Sequence, residues 1–253
     1  MGLGDVLMSM GEAKRIHQRT GQPVLITDPR GMPVRSDLFT GVPYLIQKPL
    51  RGERYQRHVN SPGHRPYIRL KTAERWYWNK YRPEPADVVL TPAEDAFGRV
   101  AEGAIIIEPN VKSIGHRNKD WGLGLWQNLV YAIRKAEINL PLLQMARPGD
   151  RGLAYTSQIP VDSFRKALAC LKHARLYVGP EGGLHHGAAA MRTPAVVIFG
   201  GLVSPETTGY DQHRNLFTGG EACGMRTDCP HCRKAMNAIT PEMVLTQIKE
   251  LLK

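Results

Sequence analysis

Residues 176–201, LYVGPEGGLHHGAAAMRTPAVVIFGG, restrict what this chain can fold into more than any other stretch. A short apolar run, 176–178, ends in Gly-Pro, and Glu181, Gly182 and Gly183 then form a turn that no strand or helix interior would tolerate. The alanine-rich segment 184–191 reads as a helix and 195–199 as a second buried strand. Strand, glycine turn, helix and strand in that order make the βαβ unit of a parallel sheet. Ligands of such sheets bind beyond the carboxyl ends of the strands, which is where Glu181, Gly182, Gly183, His185 and His186 fall.

The surrounding chain repeats this rhythm. The spacing predicts strands at 104–108 and 140–145, helices at 121–136 and 161–174, and a short last strand at 216–218. Asp162 and Ser163 are candidate caps of the second helix. A closing amphipathic helix spans 241–252, with proline after Thr240. Before this regular part, a helix is expected at 6–19 and strands at 23–27 and 42–46. Residues 47–87 are irregular, basic and aromatic, and read either as an acceptor-binding surface or as a flap of half-buried aromatics. The opening MGLGD is a turn of the kind that follows a strand, yet no strand precedes it. Either the recorded start is late or the first strand has been lost.

No run approaches the roughly 18 to 20 apolar residues of a spanning helix, and no signal pattern opens the chain, so a cytoplasmic protein is expected. Four cysteines in 253 residues are too few for a disulfide framework. The net charge of +11 points either to a solvated basic surface or to an anionic partner: nucleic acid, acidic lipid or a nucleotide diphosphate.

Four constellations carry chemistry. In Glu181-Gly182-Gly183-Leu184-His185-His186, glycines at a helix start let backbone N–H groups approach a phosphate, the histidine adds a hydrogen bond, and the carboxylate suits a sugar hydroxyl. The bland alternative is a tight turn with His186 as a satisfied core residue. Asp5 opens a helix, as a cap or as a general base in a cleft. Lys119, in Asn118-Lys119-Asp120-Trp121, suits a diphosphate or is an ordinary surface lysine. Cys223, Cys229 and Cys232, with His231 beside them, have metal-ligand chemistry, and Cys170 would complete four ligands if folding brought it near; reduced packing cysteines are the alternative.

Taken in order, LGDVLMSMGEA, NKDWG, EGGLHHGAAAMRTPAVVIFGG and the cysteine-bearing tail with AMNAITPEMV resemble glycosyltransferase family 9, the bacterial heptosyltransferases and their relatives. That family shows Gly-Asp-Val near its amino terminus, Lys-x-Trp early in its second domain, and an Asp-Ser/Thr-Gly-x-x-His-x-Ala-Ala box. The resemblance implies an α/β, GT-B-like fold: two Rossmann-like, doubly wound domains facing across a cleft, here with a small or incomplete first domain. The expected boundaries are 1–98 on the acceptor side, 99–240 binding the nucleotide sugar, and 241–253 as a helix returning to the first domain.

By the same resemblance Asp5 matches the catalytic base, Lys119 the donor-phosphate lysine, and Gly183 and His186 the donor box. Glu181 and Gly182 stand where the family has Asp and a hydroxyl residue, which leaves the donor open. The implied activity is inverting transfer of heptose or another hexose-like sugar from a nucleotide diphosphate sugar to a glycan, glycolipid or protein hydroxyl. It requires no cofactor or catalytic metal, leaves room for a structural metal at the cysteines, and is consistent with peripheral contact at the inner membrane face. No nucleic-acid partner is expected on this reading. The alternatives are a non-catalytic sugar-nucleotide binder and a basic, zinc-containing nucleic-acid-binding protein.

Overall fold

The structure is a computed structural model that describes residues 2–49, 52–111, 117–147, 149–150, 152–218 and 220–253. Met1 of the opening turn and Leu50 and Arg51 of the basic segment lie outside them. Helix α1 (Leu3–Thr20) is followed by β1 (Val24–Thr27), which β2 (Leu45–Ile46) and β3 (Gln56–Val59) flank in a three-stranded parallel sheet. Strands β4 (Ile68–Lys71) and β5 (Trp76–Trp78) pair as an antiparallel hairpin, and α2 (Pro92–Gly98) follows under a Thr91–Glu94 capping box.

The alternating part runs β6 (Ile105–Ile107), α3 (Leu123–Lys135), β7 (Leu142–Ala146), β8 (Ser157–Pro160), α4 (Phe164–His173), β9 (Leu176–Pro180), α5 (Gly183–Ala190) and β10 (Ala195–Phe199). It closes with α6 (Pro205–Thr208), β11 (Arg214–Phe217), α7 (Pro230–Asn237) and α8 (Pro241–Leu252). Its six strands are all parallel, in the order β8-β7-β6-β9-β10-β11. Strand order therefore reverses between β6 and β9, the switch point where a doubly wound sheet opens a ligand crevice.

Side-chain alternation shows why this sheet is covered on both faces. Ile106, Tyr177, Val197 and Phe199 point into one core with α1, α4 and β1, while Ile105, Ile107, Val178, Val196 and Ile198 point into another with α3 and α8. The first core is continuous with that of the small sheet, since Val6, Met10, Val24 and Ile26 belong to it. Arg165 of α4 reinforces the join: it is buried, binds both Glu94 oxygens, and donates to the carbonyls of Asp37 and Val89. That guanidinium holds the Glu94 carboxyl down to about 2.

Several expectations need correction. Helix α1 starts three residues earlier than expected, with Gly2 as its N-cap, so Asp5 sits within the first turn and is not a cap. Helix α8 packs on α3 and β10 instead of returning to the first sheet, because Val244 and Ile248 bury into the second core. Residues 47–87, read as irregular, contain β3 and the hairpin. The flap reading describes the hairpin's packing: Trp76, Trp78 and Tyr81 cover Met8, Tyr67 and Ile68.

Candidate active site

Two helix starts meet at this site, one from each sheet. Helix α1 packs along α5, and their amino-terminal turns approach through Gly4, Gly183 and His186. The amino-terminal turns of the two helices thus direct backbone N–H groups and positive dipole ends toward one region.

On the α1 side stands Asp5. Its Oδ1 accepts the Tyr67 hydroxyl at 2.7 Å and pairs with the Arg65 guanidinium at 3.0 Å, and its side chain remains 31% exposed. Arg65 is itself held by the Asn60 side-chain oxygen at 3.1 Å, just beyond β3. Burial, and then the Asp5 charge, push the Tyr67 phenol well above its ordinary range, so it stays protonated and donates. The carboxylate is therefore fixed by two donors while part of it reaches solvent. Sequence reasoning missed Asn60, Arg65 and Tyr67, which lie 55 to 62 residues from Asp5.

Across from it, at the carboxyl end of β9, lies Glu181. It is buried and forms an ion pair with Lys119, so two residues expected to hold different parts of a ligand hold each other. Burial alone would raise the Glu181 carboxyl; the Lys119 ammonium, and then His186, bring it below its usual value. Lys119 keeps two further N–H donors beyond this pair. The His186 Nδ1 meets the Tyr210 hydroxyl at 3.0 Å, and its Nε2 is 3.8 Å from Glu181 Oε1. Burial drives this imidazole down to about 4, so it is neutral near pH 7. His185 lies against the His186 ring, centroids 4.5 Å apart, among the rings of Phe199, Tyr210 and His213, and has no hydrogen-bond partner among the described residues.

Gly182 stands at the α5 N-cap, and a Cβ there would meet nothing within 4 Å. The place where the resemblance expects Ser or Thr is open space. Sequence reasoning also missed Glu108, one residue past β6 and so on the other lip of the switch point. It is buried, its Oε1 accepts the Asn110 N–H at 3.1 Å, and burial raises its carboxyl to about 7. The run AIIIE marked the strand end, but nothing in it marked the carboxyl as buried.

The cysteines form a separate cluster. Cys223 Sγ lies 3.7 Å from Cys229 Sγ and 3.2 Å from Cys232 Sγ, and His231 completes four ligand atoms within 4.8 Å of one another. Cys170, proposed as a fourth ligand, is buried in α4 and is not among them; the adjacent His231 takes that place. Glu181, His185 and His186 make a second close group at the site itself.

Comparison with known proteins agrees with this architecture. The model of glycosyltransferase family 9 (heptosyltransferase) matches residues 90–238, from before α2 to the end of α7. The crystal structure of a family 9 glycosyl transferase from Veillonella parvula superposes with a TM-score of 0.66 at 11% identity, covering 100% of this chain and 95% of the other. The iron-containing dodecameric glycosyltransferase TibC from enterotoxigenic E. coli gives 0.64 at 16%, covering 100% and 76%. E. coli ADP-heptose lipopolysaccharide heptosyltransferase II gives 0.49 at 17%, covering 66% and 53%. The chain thus spans about half the length of that enzyme. No curated protein matches the chain. Among the described residues no helix is long and apolar enough to cross a membrane. The architecture is GT-B-like, with a first sheet of three strands among the described residues. The family model covers well over half of the sequence, and the chain belongs to glycosyltransferase family 9.

Proposed function

We propose that this protein transfers a hexose-like sugar, heptose among the candidates, from a nucleotide diphosphate sugar to an acceptor hydroxyl with inversion. Residues 1–98 would present the acceptor and residues 99–240 the donor. The observation that carries the reading is the close approach of the α1 start, which bears Asp5, to the α5 start, where Glu181 meets both His186 and Lys119. One side holds a fixed, partly exposed carboxylate. The other combines a cation, a helix N-terminus and a buried acid at a sheet switch point.

The chemistry is a single displacement. Asp5 takes the proton of the acceptor hydroxyl as that oxygen bonds to the anomeric carbon, and the bond from that carbon to the diphosphate breaks. Charge then grows on the departing nucleotide diphosphate, where the remaining Lys119 donors and the α5 N–H groups stabilise it. Only contacts that strengthen as this charge develops speed the step, and the Glu181 pair holds Lys119 in place before it begins. None of these roles calls for a catalytic metal. The +11 charge suits an anionic donor and an acidic glycan or glycolipid acceptor, with peripheral contact at a membrane face. Family membership favours this reading over a nucleic-acid-binding protein.

The test is a thermal-shift screen of ADP-, GDP-, UDP- and CDP-sugars, followed by a transfer assay on any donor that binds. Asp5→Asn should abolish transfer and keep donor binding, whereas Lys119→Ala and His186→Ala should weaken binding as well. Full turnover by Asp5→Asn would remove Asp5 from the role of base. Binding without transfer or hydrolysis would reassign the chain as a sugar-nucleotide binder.

A further inference from the structure

Among the described residues, the cysteine cluster is the one group of strong ligands that the transfer reaction leaves unused. Cys229 caps α7 and Cys232 lies in its first turn, so the Cys-Pro-His-Cys spacing returns both thiols to one side, where Cys223 meets them. Sulfurs about 2.3 Å from a tetrahedral zinc stand about 3.8 Å apart. The Cys223–Cys229 separation of 3.7 Å already has that value, and the 3.2 Å Cys223–Cys232 contact needs only a small widening. Three soft thiolates and an imidazole are the donor set of a closed structural zinc or iron site.

We propose that Cys223, Cys229, His231 and Cys232 bind one zinc or iron ion, and that this ion positions Lys119. The link is the loop between the first two cysteines. Asn118, buried beside Lys119, donates to the carbonyls of Met225 at 2.9 Å and Thr227 at 2.7 Å, and its oxygen accepts the Cys229 N–H at 3.0 Å. The same loop holds the hairpin. Gly224 accepts the Trp76 N–H at 2.9 Å, and Arg226 donates its N–H to the Glu74 carbonyl at 2.9 Å. Gly224 has φ of +66°, and a Cβ there would sit 1.8 Å from the Trp76 oxygen, so the loop fits the hairpin only with glycine. An ion closing the cysteine cluster thus fixes both the lysine of the donor side and the hairpin next to Tyr67, whose hydroxyl reaches Asp5. Lys119 and Tyr67 are positioned by this ion and are not ligands of it.

The positioning half rests on the donor role of Lys119; the metal half does not. The experiment is metal analysis of the full chain purified from cultures supplemented with zinc or with iron, followed by hydrogen exchange before and after chelation. One ion per chain is expected, retained by Cys170→Ser and lost by Cys223→Ser/Cys232→Ser. Chelation should speed exchange at 117–121 and 72–78 and leave β9 and β10 unchanged, a readout that holds even if the cysteine variants fold poorly. Less than about a tenth of an ion per chain under both supplements, or a disulfide among these cysteines in non-reducing mass analysis, would overturn the metal site. Stoichiometric metal with unchanged exchange at 117–121 would overturn the positioning role. Stoichiometric metal and altered exchange, without donor binding, would instead count against the transferase reading alone.

Discussion

Gly4 in α1 lies so close to His186 in α5 that a Cβ on Gly4 would stand 2.9 Å from His186 Cδ2 and 3.3 Å from the Gly183 Cα. Neither neighbour is the loose end of a flexible side chain: one is a buried ring held by Tyr210, the other is backbone. Gly4→Ala should therefore push the two helix starts apart and destabilise the protein by about 1–3 kcal/mol, the usual cost of overpacking. Thermal denaturation measures this, with Gly182→Ala as the contrast. A Cβ at Gly182 meets open space, so its melting temperature should stay close to that of the parent.

The Lys119–Glu181 pair makes a second prediction, because Glu181 is buried and Lys119 is 19% exposed. Lys119→Ala leaves a buried carboxylate without its cation and should cost about 3–5 kcal/mol, the range for breaking one side of a buried pair. Lys119→Met combined with Glu181→Gln removes both charges and should recover most of that stability. If Lys119 serves the diphosphate, the double variant stays folded yet binds nucleotide diphosphate sugars poorly. Denaturant titration and a donor-binding isotherm on the same preparations separate the two effects.

The βαβ unit was legible because its periodicity is strong: 195–199 is buried at every position, and β10 occupies that range. The closing helix was equally clear, from Pro241 after the Thr240 cap. Strands β3 and β8 were not. Each has one buried residue or none, so neither offers a continuous apolar run, and backbone pairing with β1 and β7 makes them strands. Helix α7 was hidden by its cysteines, which drew a ligand reading instead of a helical one. Within the site, the sequence named Asp5, Lys119, Glu181 and His186 but could not show what they touch. Arg65 and Tyr67 reach Asp5 only because the hairpin folds over Met8, a tertiary contact without local signature.

Glu108 should give a pH-dependent stability of unusual sign. Burial raises its carboxyl to about 7, so the folded protein holds a proton that the unfolded chain, near 4.5, releases. Its contribution is therefore present below about pH 4.5 and is lost as pH rises toward 7, at up to about 1.4 kcal/mol per pH unit. Glu108→Gln keeps an acceptor for Asn110 and removes the titration. It should stabilise the protein more at pH 8 than at pH 5 in matched denaturant melts; an equal effect at both would show that Glu108 does not hold the proton.

The buried histidines of α5 and His213 beside them act in the opposite direction over an overlapping window. Burial lowers His186 and His213 to about 4 and takes His185 well below its ordinary 6.5. Each is neutral in the folded protein while the unfolded chain takes up a proton, so stability should fall as pH drops from about 6.5 toward 4. With His58, which burial also lowers, these groups outweigh the single Glu108 proton, so acidification across that range is a net loss of stability. His185 supplies the cleanest test, because neither ring nitrogen has a partner among the described residues and it sits 5.6 Å, centroid to centroid, from both Phe199 and His213. Replacing a buried, unsatisfied polar ring by an apolar side chain of similar size is neutral or favourable. His185→Leu should match or exceed the parent at pH 7 and show a shallower decline in melting temperature between pH 6.5 and 4. A decline as steep as the parent's would mean that the folded protein also takes up a proton on this ring, or that another group drives the acid transition.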